Sequence, residues 1–516
     1  MRSTKSIINS GANVISFIIA FIPNLIIRKF FLETLGSEML GINSLYTNII
    51  GWLSIVEMGI GSTIVYSLYK PFSQNNKSKI SAYIKFYGKF YKRIGFFILV
   101  LGICLLPFLQ NFIIDNVDIK VVRIGFFLAL LNSFISYLFS HRLCILNVSQ
   151  EGYKITLGTT ISKIIIAILQ ILMFKSYPNF ILFILIQLCI NFIYFILINL
   201  YVKKQYIWID EYKDEIELEE KKGLSQNIRA MFMHKIGSLV VGSTDNIVIS
   251  KFVGLTVLAN YVNYQTVIGA FQSIVCMIMN GMTASIGNML VNESKEKAYE
   301  VHKKIFFLNF WIVSFIIISL YNTLEQFICI WVGKTYLLDK YTFVVILINI
   351  YFSLMRSSVE QFQSGSGFFY KDRYVPIIEA LVNIIVSIVL AKKIGILGVF
   401  IGTLSSNFLI VFWTKPYIIY KYIFNRSVKA YFVMYFKYLL VGLIPLIITN
   451  SITQGLKTNY TIISFVVNCI INIVIINSIY IILLNRTNEF KYYTSLLRRI
   501  FKRDRVLENK KFSKSS

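Results

Sequence analysis

Apolar runs follow one another almost from end to end of this chain, each close to the roughly 20 residues that a helix needs to cross a hydrocarbon core. Runs such as Ile94 to Leu109 and Thr461 to Leu484 are nearly continuous, not alternating, which excludes the two-residue period of a membrane barrel. The pattern predicts an all-α, polytopic membrane protein of about fourteen spans, at approximately 6–27, 39–69, 94–114, 121–146, 157–175, 179–201, 230–250, 256–290, 305–332, 341–366, 374–391, 395–420, 431–450 and 458–484. Pro23 with Asn24 is expected to kink the first span, because proline removes a backbone donor and clashes with the preceding turn.

Composition agrees with a bilayer solvent: 56% of the 516 residues are hydrophobic and 15% charged. A net charge of +27 raises the question of nucleic acid, but the distribution of the charge answers it. With the N-terminus inside, the inward segments hold roughly 37 of the 52 Lys and Arg, as the positive-inside rule requires, so no nucleic-acid partner is needed. Both termini are expected on the cytoplasmic side of a bacterial cytoplasmic membrane. Six single cysteines inside apolar stretches read as core residues, and the three histidines, His141, His234 and His302, sit near inner span ends. No metal site, cofactor site or nucleotide-binding loop is evident.

The chain also repeats itself. Gly36, Leu40 and Tyr46 return as Gly254, Leu258 and Tyr264, and Tyr153-Lys154 returns as Tyr370-Lys371, at almost one offset. Two six-helix lobes are therefore expected, 1–202 and 230–421, joined by a cytoplasmic linker at 203–229 whose acidic run Asp210 to Glu220 is flanked by lysines. An extra helix pair at 422–484 and a basic tail at 485–516 complete the scheme.

Ionisable groups at membrane depth each cost about 2.5–3.5 kcal/mol on insertion scales unless they face a polar interior or a partner, so they mark candidate function. Lys163 and Arg356 are deep, with Arg28 and Arg123 nearer the outer ends, and these four are candidate substrate-path cations. Glu57, Asp245, Glu360 and Glu379 are candidate ion-coupling acids, Glu57 foremost, because it stands beside Gly59-Ile-Gly61 with no cation near it in sequence. Arg356 and Glu360, four residues apart, also suit a structural ion pair. Under the repeat offset Lys163 falls next to the counterpart of Glu379, and Arg28 next to that of Asp245, which fits either ionic latches or a division into ligand cations and proton carriers.

Three stretches carry a resemblance: Gly59-Ile-Gly-Ser-Thr-Ile-Val-Tyr-Ser-Leu-Tyr-Lys70-Pro71 leading into a basic helix, Ser243-Thr-Asp245-Asn-Ile-Val-Ile-Ser-Lys-Phe-Val-Gly254 followed by Tyr261-Val-Asn-Tyr264, and Gly395-Ile-Leu-Gly398-Val-Phe-Ile-Gly402-Thr403. Over essentially its whole length the chain resembles the Wzx-type flippases, the polysaccharide branch of the multidrug, oligosaccharidyl-lipid and polysaccharide (MOP) exporter superfamily. The resemblance implies alternating access, and as cargo an undecaprenyl-diphosphate-linked oligosaccharide for capsule, O-antigen or other surface polysaccharide. It also implies partners in polysaccharide polymerase and other assembly proteins. The deep cations are sparser than a strongly cationic cavity requires, and span six lacks a counterpart of Gly395 to Thr403. A cation-coupled multidrug exporter, a teichoic-acid-precursor or lipid II flippase and a membrane glycan polymerase are the alternatives, the last disfavoured by the absence of a large outer loop.

Overall fold

The computed structural model of the chain describes residues 2–57, 60–113, 115, 117–212, 216, 244–366, 368, 374–457, 460–496 and 498. The expected features at Gly59, Lys213, His234, Tyr370-Lys371 and most of the linker and tail lie outside these residues, as do the side chains of Arg2, Lys5, Gly61, Ser62, Thr63 and Lys70.

Every described element is helical. Because the hydrocarbon core offers no water to a free backbone group, each apolar run closes its hydrogen bonds within itself. In chain order the helices are α1 (Arg2–Leu53), α2 (Ile60–Ser73), α3 (Lys77–Leu105), α4 (Ile119–Phe139), α5 (Cys144–Val148), α6 (Gly152–Ser176), α7 (Phe180–Gln205), α8 (Trp208–Glu211) and α9 (residues 244–252). There follow α10 (Leu255–Asn280), α11 (Thr283–Asn292), α12 (Lys295–Trp331), α13 (Lys340–Ser366), α14 (Val375–Ile394), α15 (Ile396–Ser406), α16 (Phe412–Ile418), α17 (Lys429–Lys457) and α18 (Ile462–Leu484).

Among the described residues twelve helical stretches are long and apolar enough to cross a membrane. Two features account for most of the difference from fourteen. The first expected span and the start of the second run together as α1, which is two helices meeting at a break at Gly36 (φ 82°, ψ 172°), between the two expected spans, while Pro23 lies inside the first of them. A side chain at that φ is strained, and glycine is not. The expected seventh span, 230–250, lies mostly outside the described residues. The chain then divides into two compact units, Met1–Val262 with Glu379–Gly402, and Asn263–Ile378 with Thr403–Ser516.

In the first unit α1 packs on α6, and α4 on α7. Phe31 of α1 meets Phe183 of α7 edge-on at 4.9 Å between centroids, and Asn191 on α7 donates to Asn132 Oδ1 on α4 at 3.0 Å. In the second unit α12 is the axle, since the most apolar stretch of it is 61% buried while α17 and α18 are each 22% buried. It is held by α13, where Asn309 Nδ2 donates to Leu354 O at 2.9 Å, and by α17 and α18. Large apolar side chains such as Ile463, Val433 and Ile482 point outward, as lipid-facing positions do.

The repeat has a counterpart in contacts. Gly254 also has a positive φ, 125°, just before α10, as Gly36 does within α1. Tyr46 is buried against Phe126 at 5.5 Å and its hydroxyl donates to the carbonyl of Val122 at the start of α4. Tyr264 is buried against Phe343 at 5.6 Å and its hydroxyl accepts from the N–H of Leu338, just ahead of α13. The tyrosines are 218 positions apart and the phenylalanines 217, so the offset read from the sequence recurs in packing partners far from the matched motif.

Candidate functional site

The first unit holds an open cavity of about 620 Å³ lined by α1, α6 and α7. Polar residues reach it at helical spacing: Asn24 and Arg28 from α1, Thr156, Thr159, Thr160, Lys163 and Gln170 from α6, and Gln187 and Asn191 from α7. Phe31 and Phe183 close one side. A polar stripe inside otherwise apolar helices has to face an interior, because lipid offers it nothing.

Arg28 decides the electrostatics. Its Nε and Nη1 are buried with no hydrogen-bond partner among the described residues. A guanidinium has five donors and no way to lose its charge, so a buried, unmatched one is a donor site suited to an anion. Lys163 brings a second cation to the same cavity, and Gln170 is pinned by its bond to Phe183 O at 3.0 Å. The structure thus joins two of the four expected path cations in one place. Arg123 stands at the start of α4, where Nη2 makes a long contact of 3.5 Å to Pro107 O and Nε has no partner.

Arg356 belongs elsewhere and is already engaged. On α13 of the second unit its Nε donates to Glu360 Oε1 at 2.7 Å and its Nη1 to Asn407 Oδ1 at 2.8 Å. Asn407 opens a π-helical turn, Asn407–Val411, and Lys415 one helix further donates to Gln363 Oε1 at 3.0 Å. Widened turns of this kind recur at functional positions.

Glu57 ends a 3-10 turn, Ser54–Glu57, and its carboxylate accepts from the hydroxyl of Tyr91. Tyr91 itself lies 4.1 Å from Tyr87 and 5.7 Å from Tyr137, so the acid that looks isolated in sequence meets a tyrosine cluster. Asp245 is buried on α9, where its neighbour Thr244 donates to Asn383 on α14 at 3.3 Å; Glu379 lies one turn before that asparagine. His302 is a core residue against Phe362, Tyr420 and Phe424.

Sequence reasoning missed Asn24, Gln187, Asn191 and the threonines of α6. The signal was available: Thr156, Thr159, Thr160, Lys163 and Gln170 fall at i, i+3, i+4, i+7 and i+14, one face of a helix.

No protein-family model and no curated protein sequence matches the chain. Solved structures do. The chain is similar to a lipid II flippase, MurJ, in an inward closed conformation, with a TM-score of 0.65 at 16% identity, over 93% of this chain and 99% of that one. It is similar to an inward-facing multidrug resistance MATE family transporter of the MOP superfamily, with a TM-score of 0.59 at 12% identity, over 76% and 91% of the two chains. A Vibrio cholerae MATE transporter gives 0.52 at 13% identity, over 83% and 98%. The chain has the all-helical, two-lobed fold of the MOP transporters, and these structural neighbours are transporters, not enzymes.

Proposed function

We propose that this protein is a flippase of the Wzx type that turns an undecaprenyl-diphosphate-linked oligosaccharide across the bacterial cytoplasmic membrane by alternating access, for capsule, O-antigen or another surface polysaccharide. The observation that carries the reading is the cavity of the first unit, where Arg28 and Lys163 stand in a wall of amides and hydroxyls. A diphosphate leaving water needs positioned cations, and a bidentate guanidinium suits it better than any other side chain. The amides and threonines offer the donors and acceptors that sugars require. A cationic drug meets charge of its own sign here, which disfavours the exporter alternative. Both termini inside, lobes at 1–202 and 230–421 and polymerase-type partners complete the proposal, with Glu57, Asp245, Glu360 and Glu379 as its coupling acids.

The test is binding of a lipid-linked diphosphate to the purified full-length protein, with thermal stability measured beside it. Arg28→Gln is expected to weaken binding by about 10–150-fold, the equivalent of roughly 1.5–3 kcal/mol for hydrogen bonds to a charged group, and to leave stability unchanged or raised. Unchanged affinity in both Arg28→Gln and Lys163→Gln excludes this cavity as the diphosphate site.

A further inference from the structure

A second basic site lies apart from that cavity and shares no lining residue with it. On α3, Lys85, Lys89, Lys92 and Arg93 fall at i, i+4, i+7 and i+8, one face of the helix. They line a pocket of about 450 Å³ whose far wall is the Ser140–Leu143 turn and α8. Close approach there depends on Gly88, since a Cβ at that position would sit 2.8 Å from the ring of His141.

Part of the charge holds the pocket itself together. Ser81 and Lys85 donate to backbone carbonyls at Ile209 and Tyr212, and Arg142 grips Asp210 with two bonds of 2.8 and 3.1 Å. Asp210 is the one acid among the described lining residues and is matched by Arg142. Lys92 and Arg93 are exposed and add positive charge beyond that pair.

The pocket does not end in water alone. Lys92, His141 and Arg142 also line an adjoining groove of about 470 Å³, whose other wall is apolar: Leu138, Phe139, Ile196 and Leu200 at the ends of α4 and α7. Lys203 stands at its rim and Leu200 is 57% exposed. A basic pocket that opens through shared residues into an apolar groove has the shape of an amphiphile, with head and tail portions in order.

We infer that this joined pocket and groove hold one anionic phospholipid of the cytoplasm-facing leaflet, its phosphate between Lys92 and Arg93 and an acyl chain along Phe139 and Leu200. The anionic leaflet supplies that ligand at high local concentration, and basic side chains at helix ends reach its headgroups while their stems stay in the apolar layer. The inference is independent of the cargo, because the Arg28 cavity takes no part in it.

The experiment is native mass spectrometry of the full-length protein titrated with phosphatidylglycerol or phosphatidylethanolamine. One phosphatidylglycerol is expected to bind in preference to the zwitterionic lipid. Each basic residue near an anionic surface contributes roughly a factor of five, so Lys92→Gln with Arg93→Gln is expected to weaken phosphatidylglycerol about 25-fold and leave phosphatidylethanolamine unchanged. Leu200→Asp weakens the lipid without moving the melting temperature, free glycerol 3-phosphate does not displace it, and Arg28→Gln leaves it bound. Equal binding of the two lipids, full phosphatidylglycerol affinity in the double variant, or displacement by glycerol 3-phosphate overturns the inference. So does one-for-one displacement by undecaprenyl diphosphate, which makes the pocket a port for the cargo.

Discussion

Tyr46 packs edge-on against Phe126 with its hydroxyl donating to the carbonyl of Val122, and 218 residues later Tyr264 packs at a tilt on Phe343 with its hydroxyl accepting from the N–H of Leu338. Each pair ties the helix after a positive-φ glycine to the start of a later helix of the same unit. A repeated contact of this kind is a stability element, and its cost on removal is calculable. Tyr46→Phe keeps the ring and drops one hydrogen bond, so about 0.5–1.5 kcal/mol is expected. Tyr46→Ala empties a fully buried aromatic site and is expected to cost about 3–5 kcal/mol. Denaturant unfolding of the purified protein gives both values; equal losses in the two variants contradict the packing assignment.

Arg356 is expected to behave unlike Arg28. It is bonded to both Glu360 and Asn407, so Arg356→Gln leaves a carboxylate short of its partner in a low-dielectric interior. Breaking a buried pair from one side costs about 3–5 kcal/mol, although the 35% exposure of the Glu360 side chain and nearby Lys415 reduce that figure here. Lowered melting temperature with intact lipid-diphosphate affinity is the expected result. Weakened binding at full stability would return Arg356 to the substrate path.

Glu57 is expected to couple proton movement to transport. Glu57→Gln keeps the side chain's size and a hydrogen bond with Tyr91 but cannot carry a proton. Transport driven by a pH gradient in proteoliposomes is expected to fall to background while lipid binding persists. Undiminished transport transfers the role to Asp245 or Glu379.

The extra helix pair is held to α12 by a ladder of amides. Asn322 Nδ2 donates to Thr449 at 2.8 Å and to Asn472 at 2.6 Å, Asn472 donates to Asn468 at 2.8 Å, and Asn468 donates to Gln326 at 3.1 Å. Inter-helix polar bonds in membranes contribute about 0.6–2 kcal/mol each. Asn472→Leu is expected to loosen α17 and α18 and lower the melting temperature, whereas Asn477→Leu, whose half-buried side chain meets Trp311, is expected to do far less. Equal losses of melting temperature in the two variants rule the ladder out as a clamp.

Topology is tested by reporters placed in turns. Insertions after Asn75, Asn292 and Asn425 are expected to report as cytoplasmic, and those after Tyr177 and Gly333 as external. An external signal at Asn75 or Asn425 reverses the proposed orientation.

Much of this architecture is legible in the chain itself. Membrane helices are decided by local free energy: an apolar run of sufficient length in hydrocarbon must satisfy its own backbone, whatever its neighbours do. The all-α class, most span positions, the repeat offset and the short list of deep charges follow from that. The partners of those charges do not. The pairing of Arg356 with Glu360, four residues on, is legible, but whether Arg28 is matched or left with buried donors, whether Arg356 is also held by Asn407, and whether Glu57 stands alone or against Tyr91 depend on tertiary packing. Helix periodicity brings Thr156 and Lys163 to one face of α6, but only packing against α1 and α7 makes that face a cavity wall. Long-range contact decides it because the energy of a buried charge is set by what lies within a few ångströms in space, and tertiary structure alone determines those neighbours.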